Sequence, residues 1–303
     1  MRAMRLCVRG LSLCIIITSM GKLTIEQLEL KANTIRGDVI RMLEHAGSGH
    51  SAGSLGLADV FTALYFDVMR HDPKNPAWEE RDMLLLSNGH CVPVQYAAMA
   101  EAGYFPKSEL LTLRKFQSRL QGHPERVTLP GLEHTSGPLG SGLSEACGIG
   151  LAFRFDKQSH RHIYVVMGDG ELDEGNVWEA AMFAAKYRLT NLTAIVDRNN
   201  IQIDGPTEDV MPLEDLKAKW ESFGWHVLEI DGNDIEAAID ACAMAKAVTE
   251  KPVVLLAYTI PGKGVDFMEY DFHWHGVPPN HEQAREALHE LRTLRGKIRS
   301  EHE

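Results

Sequence analysis

Three absences bound what this chain does. It lacks a basic surplus: 31 Lys and Arg face 42 Asp and Glu, a formal net charge of −11. No sizeable local basic patch interrupts that balance, so nucleic acid and anionic membrane surfaces are repelled. Cysteine is scarce. Cys7, Cys14, Cys91, Cys147 and Cys242 are odd in number and show no metal-ligand spacing, which argues against a disulfide framework and fits reduced thiols in a cytoplasm. Long apolar runs are missing too. Arg2, Arg5 and Arg9 precede the apolar residues 11–17, as in a short signal peptide. That run falls well short of the roughly 20 residues a bilayer requires, and Thr18-Ser19-Met20 makes a poor cleavage site. Residues 1–21 therefore read as an N-terminal extension, disordered or untranslated, with Met20 as an alternative start. No repeat, low-complexity stretch or Pro-, Gly- or Ser-rich linker divides the rest, so residues 22–303 read as one domain.

With 303 residues and a hydrophobic fraction of 44%, the chain can bury a sheet. Strand-like and helix-like segments alternate along it, which predicts an α/β fold: an open, mostly parallel sheet flanked by helices. Thr24 with Gln27 forms a capping-box pattern, and Leu28, Ala32, Ile35, Val39, Met42 and Ala46 follow at helical spacing until Gly47. Helices are also expected over 57–67, over 92–102 before Gly103, and from Asn233 with Glu236 to about 249. Strands are expected over 82–86, 162–167, 192–196, 225–230 and 253–259. Residues 281–303 are charged and helix-prone, with Leu288, Leu291 and Leu294 as their only apolar stripe.

The most informative stretch runs from Gly168-Asp169-Gly170 to Asn199-Asn200. A carboxylate closes one apolar run, an Asn pair closes the next, and one helix-like segment lies between, so the unit reads as strand, helix, strand. In open parallel sheets ligands sit beyond the carboxyl ends of the strands, where Asp169 and Asn199 both emerge. Magnesium takes oxygen ligands, usually one carboxylate, a few neutral oxygens, water and the phosphates of its ligand. Asp169, the Asn199 amide oxygen and the Ile201 carbonyl supply three such oxygens. Gly168 and Gly170 flank the carboxylate, and Gly170, with no Cβ, lets its N–H approach a phosphate. Alone, Gly-Asp-Gly is an ordinary turn; joined to the Asn pair it points to a diphosphate held through a divalent metal.

That pattern resembles the thiamine-diphosphate motif, and further segments narrow the resemblance to the N-terminal part of transketolase. They are Gly47-Ser48-Gly49-His50 with Gly53-Ser54-Leu55-Gly56, Ser87-Asn88-Gly89-His90, Gly122-His123-Pro124-Glu125, Thr135-Ser136-Gly137-Pro138-Leu139-Gly140, and Gly262-Lys263-Gly264 followed by His275-Gly276. They occur in order from about residue 23 to 280. The chain departs from the family at residues 51–54, where many transketolases carry Pro-Gly-Ala-Pro.

The resemblance implies a site. Thiamine diphosphate would be held with Mg2+ or Ca2+ through Asp169, Asn199 and Ile201. His90 and His275 would contact the cofactor, Gly137, Pro138 and Leu139 would lie against its aminopyrimidine ring, and Glu179 would stand at the subunit interface near it. His50, His123, His275 and Glu174 would carry catalysis, His50 and His123 by contacting substrate. Neutral imidazoles suit that work because they hydrogen-bond sugar hydroxyls and titrate near neutrality. Lys263, in a Gly-rich loop, would meet a phosphate.

The family's pyrimidine-binding domain, whose Glu favours the imino form of that ring, does not precede Glu303. A separate C-terminal partner subunit is therefore expected, in a heterotetramer that transfers a two-carbon ketol unit from a ketose phosphate to an aldose phosphate in the cytoplasm. Three alternatives stand beside this reading. One is a 1-deoxyxylulose-5-phosphate synthase-like chain, which also carries Gly-His and Gly-Asp-Gly segments. Another is the alpha subunit of a 2-oxo-acid dehydrogenase, and the third a cofactor-binding module without turnover.

Overall fold

Thr24 opens the first helix, α1 (Ile25–Ala46), with the capping box its sequence predicts: its hydroxyl accepts from Gln27 N, and the Gln27 side chain accepts from Thr24 N. Leu28, Ala32, Ile35, Val39 and Met42 fall on the buried face. Gly47, in the left-handed region at φ 68°, closes the helix by donating to the Leu43 carbonyl. The computed structural model describes residues 22–293; the expected extension over 1–21 and residues 294–303 of the helix-prone stretch, Leu294 included, lie outside the described residues.

The helix expected over 57–67 is broken in two. After the short α2 (Ala52–Gly56), α3 (Ala58–Ala63) runs for less than two turns and widens into a π-helical turn at Leu64–Val68. Then come β1 (Met83–Leu86) and α4 (Val92–Ala102), the latter closed by Gly103 as expected. A helix absent from the sequence expectations, α5 (Gly142–Phe155), follows. Its Gly142, Gly148 and Gly150 lower intrinsic helix propensity. Tertiary packing overrides this, because Gly142 lies against Ser87, and a Cβ on Gly150 would stand 3.5 Å from both Ile163 and Leu189.

The central unit is strand, helix, strand: β2 (Ile163–Gly168), α6 (Gly175–Tyr187) and β3 (Leu192–Arg198). A small hairpin, β4 (Ile201–Gln202) with β5 (Gly205–Pro206), leads through α7 (Thr207–Val210) and α8 (Leu216–Ser222) to β6 (His226–Asp231). The last described elements are α9 (Ile235–Ala247), β7 (Val253–Tyr258) and α10 (His281–Thr293). The cap of α9 is Asp234, whose side chain accepts from Ala237 N. Asn233, expected in that role, instead donates to the Gly56 carbonyl and to Asp59, and its Oδ1 accepts from Ile260 N.

Five strands form one sheet in the order β1-β2-β3-β7-β6, every neighbouring pair parallel. Both faces are covered. Tyr164, Val166, Ile195 and Leu255 pack with α1, α3, α4 and α9 on one side, while Val165, Met167, Val196 and Leu256 pack with α5, α6 and α8 on the other. Of the C-terminal stripe, Leu291 is buried and Leu288 packs against the first of these clusters. The registers Leu86↔Val166, Gly168↔Asp197 and Arg198↔Tyr258 bring the carboxyl ends of four strands to one edge.

Candidate functional site

Loops from that edge carry most of the motifs. Ser87 to His90 follow β1, Asp169 follows β2, Asn199 follows β3, and Thr259 to Lys263 follow β7. Three histidines from remote parts of the chain form a triangle: the ring centroids are 4.8 Å apart for His50 and His90, 5.1 Å for His90 and His275, and 5.6 Å for His50 and His275. The His50 segment is tied to the others by backbone and hydroxyl bonds. Ser51 Oγ donates to the Val277 carbonyl at 2.7 Å, Ser54 Oγ to the His50 carbonyl at 2.8 Å, and Gly262 N to the Ala52 carbonyl at 2.9 Å. Residues 51–54, where the sequence departs from the family pattern, thus still position His50.

Burial holds all three imidazoles neutral. His50 is lowered to about 4, by burial first and then by His275, Arg114 and His123. His90 lies well below its usual range for the same leading reason, with His50 and His275 adding repulsion, and His275 is lowered by burial. Below the ordinary imidazole range, all three donate and accept hydrogen bonds as neutral rings. An anion among them would favour the charged form again.

Asp169 is 1% exposed, and its carboxylate is engaged on both oxygens. Oδ1 accepts from Gly170 N at 2.8 Å; Oδ2 accepts from Asn200 N at 2.7 Å and Arg198 Nη1 at 3.1 Å. Asn200 reaches this geometry at φ 63°, a left-handed conformation that Asn tolerates. Asn199 Nδ2 donates to Asp197 at 2.8 Å, and its Oδ1 accepts from Ile201 N at 3.0 Å. Asp197, fully buried and bonded to the Thr259 hydroxyl, is a second carboxylate that sequence reading missed. Burial pushes Asp169 up to about 6 despite Arg198, and Asp197 up to about 7, where the Asp169 charge adds to burial.

Glu171 is the other residue the sequence did not single out. At 2% exposure, it accepts from the Ser87 hydroxyl, from Gly140 N at 2.7 Å and from Gly168 N at 3.1 Å. One buried carboxylate thus joins the ends of β1 and β2 to the Thr135–Gly140 segment. Burial raises its pKa, and these three bonds pull it back. Only its position two residues after Asp169 in the motif could have flagged it.

The remaining expected residues are more open. Exposed His123 lies beside the same segment, its Cγ 4.0 Å from where a Cβ on Gly137 would stand. Burial and Arg114 lower its pKa. Leu139 is 38% exposed and Pro138 is exposed. Glu174 is exposed beside Gly140, and Glu179 is exposed on α6; the fold brings neither into the histidine triangle. Lys263 is buried behind the Gly262 turn.

Five buried polar atoms on these loops have no hydrogen-bond partner: His50 Nδ1, Asn88 Nδ2, Asn88 Oδ1, Ser136 Oγ and His275 Nδ1. Each such group costs about 1–3 kcal/mol of desolvation if left unpaired, so their clustering marks a place built for a polar ligand. Thiamine diphosphate fits these residues: buried imidazoles able to bond anionic oxygens, Gly168 and Gly170 beside Asp169, and an apolar Gly137-Pro138-Leu139 edge. The donors at Asp169, Asn199 and Ile201 are all oxygens, the set a hard divalent cation takes.

Comparison with known proteins agrees with the geometry. The family model described as transketolase, thiamine diphosphate binding domain, matches residues 28–293. The chain is 44% identical over 264 residues to the 6-deoxy-6-sulfo-D-fructose transketolase subunit SqwG of Clostridium sp. (strain MSTE9), covering 87% of this chain and 96% of that protein. It is 41% identical over 267 residues to an apulose-4-phosphate transketolase subunit of Phocaeicola vulgatus, covering 88% and 94% respectively. Among solved structures, a transketolase variant from Pichia stipitis superposes with a TM-score of 0.83 at 34% identity, covering 89% of this chain and 41% of that one. The transketolase of Campylobacter jejuni gives 0.83 at 34% identity over 89% and 43%. The chain thus spans less than half the length of these solved transketolases and nearly all of the two bacterial subunits. It belongs to the transketolase family, as a counterpart of the N-terminal, thiamine-diphosphate-binding part.

Proposed function

We propose that this chain is the diphosphate-binding subunit of a two-chain transketolase that moves a two-carbon ketol unit from an anionic ketose to an aldose phosphate. The carrying observation is the cluster of unpaired buried polar atoms around the histidine triangle, at the sheet edge where Asp169 and Asn199 emerge. Thiamine diphosphate would supply the nucleophilic carbon and the electron sink. Asp169, Asn199 and the Ile201 carbonyl would hold Mg2+, or Ca2+, against its diphosphate, with His90 and His275 as further contacts. Asp169 Oδ1 accepts a single bond, from Gly170 N, and so retains acceptor capacity for a cation. His50 and His123 would orient substrate hydroxyls and pass protons, His275 assisting both tasks. Gly137, Pro138 and Leu139 would support the aminopyrimidine ring.

Glu174 and Glu179 are exposed, which suits groups that meet another subunit. That partner would supply the pyrimidine-binding domain with its Glu, in a heterotetramer. Residues 22–303 would form the single cofactor domain, with 1–21 outside it. The two bacterial relatives are both named as subunits, which supports the two-chain arrangement, and the sugars in their names bear a sulfonate or a phosphate. Among the described residues Cys91, Cys147 and Cys242 are buried and unpaired, in keeping with a cytoplasmic protein, and no helix is long and apolar enough to cross a membrane.

The test is reconstitution. Mixed with its companion chain, magnesium and thiamine diphosphate, the protein should consume xylulose 5-phosphate only when an aldose is present. Turnover of pyruvate instead would identify one of the rival enzymes, and cofactor binding without turnover of either would leave a binding module. In the active assembly, His50→Ala should lower kcat by about 10²-fold to 10⁴-fold while cofactor affinity changes little. Unchanged kcat would remove His50 from catalysis.

A further inference from the structure

Asn88 sits between β1 and His90 and is 1% exposed. Its backbone carbonyl is used: Cys91 N donates to it. Its side chain is not, because neither Nδ2 nor Oδ1 has a partner. The neighbours on both sides are pinned. Ser87 bonds to Glu171, and Gly89 lies so close to Ser136 that a Cβ there would overlap its hydroxyl. A Cβ built on Gly168 would stand 3.7 Å from Asn88 Cβ and 3.9 Å from Nδ2. The amide therefore lies over the residue that leads into Asp169 and the Gly170 N–H.

A leucine of similar size would fill this space without burying two unpaired polar atoms. An amide kept there at that cost needs a ligand that offers an acceptor and a donor together. We propose that Asn88 is a binding residue for the phosphate end of the ligand: Nδ2 donates to an anionic oxygen, and Oδ1 accepts from water bound along with the ligand. The inference rests on the thiamine-diphosphate reading above and adds a contact that neither the sequence motifs nor the histidine triangle assigns. Asn88 stabilises the bound state and destabilises the empty one, a trade of stability for function.

Two measurements on the full chain with its companion subunit test this. Binding of magnesium with thiamine diphosphate, and separately of magnesium with inorganic pyrophosphate, is followed by calorimetry for wild type, Asn88→Leu and Asn88→Ala. Melting temperatures are recorded without ligand. The expected result is an affinity loss of about tenfold or more for both probes in both variants, roughly 1.4 kcal/mol per tenfold. For Asn88→Leu the unliganded melting temperature should be equal to or above that of wild type. A variant that binds both probes as wild type does overturns the role of Asn88 alone. So does an affinity loss that comes with a lower unliganded melting temperature in both variants, the mark of a structural residue. A wild type that binds neither probe overturns the thiamine-diphosphate reading itself.

Discussion

Glu171 shows how much a single buried carboxylate organises. Its three donors come from three segments, so an isosteric Glu171→Gln exchange replaces an acceptor oxygen with an NH2 that must face one of them. We expect a loss of about 2 kcal/mol in urea denaturation, together with weaker cofactor binding. Unchanged denaturation would mean that the junction tolerates an amide. His162 gives a second residue-scale test, far from the cleft. It is pulled down to about 4, chiefly by burial and secondarily by Lys246, and its Nε2 pairs with Thr193 Oγ1 at 2.8 Å. The unfolded chain, with an ordinary His pKa of about 6.5, takes up the proton first as pH falls. The stability this group contributes is therefore complete above about 6.5 and disappears towards about 4, an effect approaching about 3 kcal/mol. Urea midpoints at pH 7 and 4.5 should show wild type losing more stability than His162→Gln; parallel losses would show that His162 is not held neutral.

At the scale of elements, the site depends on how connections are pinned. Gly140 closes the Thr135–Gly140 segment at φ 81°, and a Cβ there would stand 2.7 Å from Glu174 Cβ. Gly140→Ala meets both backbone strain and overlap, so the segment or the turn before α6 must shift. We expect cofactor affinity to fall by more than global stability, with calorimetry and urea titration on the same sample as the check. Equal losses would place the damage in the fold at large. Several elements were legible in the sequence because their signals are local: the Thr24–Gln27 box, the Gly47 and Gly103 stops and the β-branched strands all appear as read. Helix α5 was not, because its stability comes from packing against Ser87, Ile163 and Leu189 rather than from its own glycine-rich composition. The cap of α9 moved from Asn233 to Asp234 for a related reason: Gly56, Asp59 and Ile260 occupy the Asn233 amide.

For the whole molecule, an oxygen-only donor set predicts that cofactor binding is coupled to a divalent cation. Removing the metal with EDTA should lower thiamine diphosphate affinity at least about tenfold, the change expected when a bridging cation is lost, and added Mg2+ or Ca2+ should restore it; calorimetry that gives one affinity with and without chelator would refute the coupling. What the sequence by itself determined is the alternation of strands and helices and the identity of the groups at the strand ends. Period, capping and turn chemistry act over a few residues, and they suffice to put Asp169 and Asn199 just past β2 and β3. Only the tertiary structure decided which groups share a buried space. His50, His90 and His275 meet across more than half the chain, the Asp169 charge acts on buried Asp197, and the Asn88 side-chain amide has no partner. Burial and hydrogen-bond partnership depend on residues remote in sequence, and those two quantities hold the histidines neutral and set which polar atoms at the site have protein partners.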